Sequence, residues 1–124
     1  MPKFSKETLE GHDYGPVLDH QAEVDGYTVN ITSFNQDIDA TPLMKGLPDD
    51  RCHCPHWGYV IKGQLTFRYA DHDEVLEAGD AFYLPPGHIP IATAGTEYIQ
   101  FSPSAPLAEV SATIQRNMQA MQSA

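Results

Sequence analysis

The sequence predicts an all-β fold, an antiparallel sandwich or barrel, and three observations lead there. Short β-leaning segments follow one another through residues 52–102, each closed by turn residues. No segment with helical periodicity separates them, which argues against a βαβ design. The chain has 124 residues, of which 41% are hydrophobic, enough for one domain with one core.

Taken in order, residues 1–24 carry Gly11, Gly15 and Pro16 with weak periodicity and read as an irregular N-terminal arm holding at most one short element. From Tyr27 the pattern changes: Tyr27, Val29 and Ile31 alternate with Thr28, Asn30 and Thr32, as in a strand rich in β-branched residues. Asn35 to Asp50 collects Pro42, Gly46, Pro48 and acidic residues and reads as a long loop, a type of segment often kept for function. Strands are then expected at His56–Ile61, Gln64–Tyr69, Glu74–Glu77, Ala81–Leu84, His88–Thr93 and Tyr98–Ser102. Lys62-Gly63, Asp71-His72-Asp73, Gly79-Asp80, Pro85-Pro86-Gly87 and Ala94-Gly95 punctuate them. Pro103 and Pro106 end the last strand. Leu107, Val110, Ile114, Met118 and Met121 then recur at three- and four-residue spacing, an amphipathic helix of about four turns expected to cover the barrel. The expected organisation is therefore an arm (1–24), a barrel (25–102) and a C-terminal helix (103–124) of the same domain.

Seven Lys and Arg against seventeen Asp and Glu give a formal charge of −10, which repels phosphate backbones and anionic lipid. Neither nucleic acid nor membrane is an expected partner. No run approaches the length of a membrane span. The first twenty residues lack an apolar stretch with a small-residue cleavage site, so a cytoplasmic location is expected. The two cysteines, Cys52 and Cys54, do not make a disulfide scaffold.

Two segments stand out as a pair: Cys52-His-Cys-Pro-His56-Trp-Gly-Tyr-Val-Ile-Lys-Gly63 and Gly79-Asp-Ala-Phe-Tyr-Leu-Pro85-Pro-Gly87-His88. They resemble the two motifs of the cupin superfamily, whose members are small antiparallel jelly-roll barrels. Tyr59-Val60-Ile61-Lys62-Gly63 is similar to the end of cupin motif one, and Gly79, Pro85 and Gly87 match the spacing of motif two. The resemblance covers about residues 25–102, and the whole chain looks like small bacterial cupin-domain proteins with an HWGYV segment, a PPGH segment and a helical tail. It implies a jelly-roll β-barrel, a divalent metal or a small molecule inside it, and a homodimer through an edge strand.

The family's ligand set departs here. Where motif one normally has its glutamate stands His56, its two histidines fall near Asp50 and Cys52, and the motif-two histidine position is Pro90, with His88 two residues earlier. A different set of donors is nearby. Cys52, Cys54 and His56 alternate, so one extended strand would place all three on one face. His88 keeps the parity of the missing histidine. A straight strand separates Cys52 from His56 by roughly 13 Å, too far for one ion unless the chain bulges near Pro55. Without a bulge the expected metal set is Cys54, His56 and His88, with Cys52 the weaker member. Thiolate and imidazole donors favour zinc, with nickel, iron or copper also compatible. The alternative is that the cysteines are small core residues and the histidines bond neighbours.

His53 has outward parity, and His12, His20 and His72 read as solvated loop residues. Trp57, Tyr59, Phe67, Tyr69, Phe82 and Tyr83 are assigned mostly to the core, and Arg68 either anchors a ligand carboxylate or pairs with surface acid. A Cys54 thiol activated by His56 or His88 is a further expectation of lower rank. Three functions remain open: a metal- or small-molecule-binding cupin with no assigned reaction, a metal-dependent oxygenase, isomerase or lyase, and a non-catalytic scaffold or regulatory module. Fold alone does not choose among them.

Overall fold

A computed structural model describes residues 3–123. Its strands are β1 (Glu10–Asp13), β2 (Val17–Val24), β3 (Tyr27–Phe34), β4 (Ile38–Asp39), β5 (His56–Lys62), β6 (Gln64–Arg68), β7 (Asp73–Glu77), β8 (Ala81–Leu84), β9 (Ile89–Ala92) and β10 (Glu97–Pro103), followed by helix α1 (Ser104–Ser123). One sheet has six strands in the order β1-β2-β3-β10-β5-β8, the other four in the order β4-β9-β6-β7. Every ladder is antiparallel. Phe34, Val60, Phe82, Leu84 and Tyr98 of the first sheet meet Leu65, Phe67 and Ala92 of the second in the main core. This is the jelly-roll arrangement, with the two sheets facing each other but not closed by a shared ladder.

The N-terminal segment corrects the sequence reading. Residues 10–24 are not an irregular arm; they form β1 and β2, the outer strands of the larger sheet. Asp25-Gly26 has positive φ at both residues (52° and 78°), the two-residue hairpin turn that matches the twist of flanking strands. That turn sets the register Val24↔Tyr27 and carries β2 along the full length of β3. His12 and His20 are consequently ladder residues, opposite Asp19 and Gly11, rather than loop residues.

β3 shows why its alternation matters. Val29 and Ile31 face outward, where Leu9 and Phe4 cover them, while Asn30 and Thr32 are buried on the inner side. Both faces of this strand are thus covered, and the polar one faces the interior.

Gly63 holds φ at +85°, and a Cβ there would run into Thr96 Oγ1. That hydroxyl is already engaged: Gln64 N donates to it at 3.1 Å and it donates to Gln64 O at 2.9 Å, tying the β5–β6 turn, where the chain crosses between sheets, to the residue before β10.

The long segment after β4 makes short 3-10 turns at Thr41–Met44 and Pro48–Asp50. Ala40, Met44 and Leu47 form a second core with Cys52, Cys54, Ile89 and Val110, against which Leu107 and Ile114 of α1 pack. Asn117 Nδ2 donates to Leu43 O (2.7 Å) and Lys45 O (2.9 Å), tying helix to loop. The helix runs from Ser104 to Ser123, within the expected 103–124 segment, and its 20 residues exceed the four turns expected. Pro106 is compatible with this because it lies in the first turn, where its missing N–H has no intrahelical acceptor to lose. Met121, read as part of the apolar stripe, is exposed. No helix among the described residues is long and apolar enough to cross a membrane.

Candidate metal centre

β5 begins at His56, whose side chain is buried, and its outward neighbour Trp57 begins the strand's exposed face. Upstream of His56 the ladder stops. Residues 53–55 lie in no strand, and Pro55, lacking a donor, fits that break. Cys52 is instead anchored to the β8–β9 turn: its N–H donates to His88 O at 2.9 Å, and its carbonyl accepts from Gly87 N at 2.8 Å and His88 N at 3.2 Å. The departure from extended geometry brings Cys52 back towards His56. The Cys52 Sγ and His56 Nε2 atoms lie 3.6 Å apart.

Cys52, His56 and His88, all buried, therefore form one group whose ligand atoms lie within 4.8 Å of one another. Two ligands of one tetrahedral ion, with bonds of about 2.0–2.3 Å, sit roughly 3.5 Å apart, the separation already shown by Cys52 and His56. The imidazoles are held from behind. His88 Nδ1 donates to Pro85 O at 2.9 Å, since a carbonyl can only accept, and this leaves the Nε2 lone pair free. Nε2 of His88 is buried without a hydrogen-bond partner. His56 Nδ1 lies 2.6 Å from the fully buried Ser102 Oγ. Such outer partners fix tautomer and ring orientation in metal sites. Phe67 stands edge-on to His88 at 5.3 Å, and Tyr69, whose hydroxyl also donates to Pro85 O (2.9 Å), stands edge-on at 5.9 Å.

Burial sets the protonation states. It pushes His56 down to about 3, helped by the neighbouring His88, and His88 down to about 4 against the opposing bond to Pro85. It raises the Cys52 thiol to about 11. Both imidazoles are thus neutral at pH 7, the form that ligates, while the thiol keeps its proton until a bound metal displaces it to solvent. The donor set and the unpartnered Nε2 fit a divalent cation.

The structure groups Cys52, rather than Cys54, with the two histidines. Cys54, the favoured cysteine, is outside the group. It is fully buried in the second core, with Sγ near Pro55 O (3.5 Å) and Pro103 O (3.9 Å). Burial and the adjacent Cys52 raise its thiol to about 12, which does not suit an activated nucleophile. Once the chain leaves strand geometry at 53–55, strand parity no longer places Cys52 and Cys54 on one face. Arg68 is outside as well: β6 turns Leu65 and Phe67 inward and leaves Arg68 at the surface, 3.3 Å from Asp73. His53 is exposed, its Nε2 bonded to Pro48 O at 2.8 Å. Of the aromatic residues assigned to the core, Phe67 and Phe82 lie there, but Trp57, Tyr59 and Tyr83 are exposed on the outer face of β5 and β8.

The group opens onto a cavity of about 440 Å³ between the sheets and α1. Phe34, Met44, Val110 and Ile114 supply apolar wall, while Asp19, Asn30, Thr32 and Gln100 supply polar wall. Sequence reasoning missed the polar residues. The Thr28/Asn30/Thr32 alternation was visible, but Asp19 lay in the segment read as irregular. Asp19 accepts from Thr32 Oγ1 (2.8 Å) and Asn30 Nδ2 (3.0 Å), and burial still raises its carboxyl above the ordinary value.

Residues 52–93 match the family model of the cupin domain. Among solved structures the chain is similar to an RmlC-like cupin from Shewanella frigidimarina, with 21% identity over 85% of this chain and 94% of that one and a TM-score of 0.58. It is also similar to the polyketide cyclase RemF from Streptomyces resistomycificus, with 13% identity over 84% of this chain and 80% of that one and a TM-score of 0.61. A third is KdgF from Halomonas sp., with 19% identity over 83% of this chain and 94% of that one and a TM-score of 0.59. These likenesses establish the fold. No curated protein matches the sequence.

Proposed function

We propose that the chain is a member of the cupin superfamily that binds one divalent metal ion through Cys52, His56 and His88 and holds a small molecule in the adjoining cavity. The observation that carries this reading is the convergence of three buried donor atoms, with His88 Nε2 left unpartnered. One thiolate with two imidazoles favours zinc over nickel, iron or copper. A bound divalent ion supplies Lewis-acid polarisation of a ligand oxygen. The protein's own residues hold the imidazoles neutral and oriented, through Pro85 O and Ser102 Oγ.

Metal analysis of untagged protein tests this. Near-stoichiometric metal is expected in the wild type and its loss in His56→Ala and His88→Ala. A wild type that stays metal-free after dialysis against zinc overturns the reading.

Three protein ligands leave a fourth position open, which supports a metal-dependent enzyme as a second reading. Turnover of a bound compound, rather than its unchanged recovery, distinguishes it from a binder. A scaffold with a filled interior is less well supported, given the cavity. The proposal extends to a cytoplasmic location, where thiols stay reduced. It also includes a homodimer, supported by the exposed Trp57, Tyr59, Tyr83 and Phe101 on the outer sheet face and tested by sedimentation equilibrium.

A further inference from the structure

The cavity wall beside the metal group includes Asn30, on β3 of the same sheet as His56. β3 lies two strands from β5 in the larger sheet, with β10 between them. Asn30 is opposite Gln100, Gln100 is opposite Gly58, and His56 lies two residues along β5 from Gly58. At about 4.8 Å between strands and 3.3 Å per residue, Asn30 and His56 are roughly 12 Å apart at Cα, on the same cavity-facing side.

The orientation of the Asn30 amide is dictated by its neighbours. Its Nδ2 is 3.0 and 3.2 Å from the two Asp19 carboxylate oxygens and 3.4 Å from Gln21 Oε1. An amide oxygen turned towards that carboxylate would meet acceptors only. Oδ1 therefore points away from Asp19, and it is buried with no hydrogen-bond partner in a residue that is 7% exposed and lines the cavity. A buried acceptor left unpaired is unfavourable, and a donor that reaches it is correspondingly well received.

We infer that Asn30 Oδ1, held in place by Asp19, is a hydrogen-bond acceptor subsite that selects small molecules carrying a hydroxyl or ammonium donor, with the ligand's apolar body lying against α1. Asn30 is the contact and Asp19 is a positioning residue. The inference rests on the reading that the cavity takes a small molecule, but not on the metal.

A matched pair of probes isolates the donor: 1-hexanol and its methyl ether, 1-methoxyhexane, which keeps the oxygen and the chain but cannot donate. Calorimetric titration is run on metal-stripped and zinc-loaded protein. Hexanol is expected to bind about tenfold more tightly than the ether in both metal states, the value of one neutral hydrogen bond to an otherwise unpaired acceptor. Asn30→Leu is expected to remove the preference while retaining ether binding. Asp19→Asn, which no longer forces the amide orientation, is expected to reduce the preference without abolishing binding. Thermal unfolding confirms that each variant is folded, and Asp19→Asn alone decides the outcome if Asn30→Leu does not fold.

Equal affinities in the wild type, or a preference that survives both substitutions, overturn the inference and leave the cavity as a binding site. Binding of neither probe in either metal state overturns both the inference and the small-molecule part of the proposed function.

Discussion

Removing the metal and lowering the pH from 7 to 5 should destabilise the protein through His56 and His88 specifically. Both imidazoles are buried in the folded state, with pKa values pushed from 6.5 to about 3 and about 4. The sign follows from linkage. In the unfolded chain each histidine takes up a proton below about pH 6.5, while the folded state refuses it until pH 3–4, so protons favour unfolding across that window. Their full contribution is present above pH 6.5 and is lost as the pH falls. At pH 5, about 1.5 units below the unfolded value, each histidine costs about 2 kcal/mol, or about 4 kcal/mol for the pair. That is a large fraction of the stability of a small domain. The assay is urea denaturation at pH 7 and pH 5 in the presence of a chelator, for wild type and for the double variant His56→Gln/His88→Gln. Carboxylates titrate alike in both proteins, so the difference between the two pH-induced losses isolates the histidines. An equal loss in wild type and double variant would refute the argument that these imidazoles are desolvated and neutral.

Cys52→Ser should weaken zinc binding by at least a hundredfold, whereas Cys54→Ala should change it by less than threefold and cost stability through a small cavity, both read by competition with a chromophoric chelator. Gly58→Ala should destabilise by about 2 kcal/mol or more in thermal unfolding, because a Cβ there meets the backbone oxygen of Ile99 as well as the Phe82 ring, and the backbone cannot yield.

The β5–β10 region was legible because its strands are short, alternating and sharply punctuated. Lys62-Gly63 and Pro85-Pro86-Gly87 each impose a turn by local chemistry, and the observed strand ends fall within a residue or so of those marks. The N-terminal hairpin carried an equally local signal in Asp25-Gly26 between Val24 and Tyr27, but β2 has no apolar alternation to announce it. Its inward residues, Asp19 and Gln21, are polar because they line a cavity instead of filling a core. The same inversion on β3 hid Asn30. At the metal group, the residue types were visible in sequence and Pro55 marked a place where the strand could depart from straight geometry, but the choice of cysteine was not legible. Parity arguments hold only while the chain is a strand, and the pairing that places Cys52 is made with His88, 36 positions away in sequence.

In the proposed centre one thiolate and two imidazoles of this chain meet at a single ion. Zinc-edge X-ray absorption on the zinc-loaded protein tests it directly. One sulfur at about 2.3 Å and two imidazole nitrogens at about 2.0–2.1 Å are expected, with the sulfur absent in Cys52→Ser. A first shell of oxygen and nitrogen alone, or one containing two sulfurs, would contradict it.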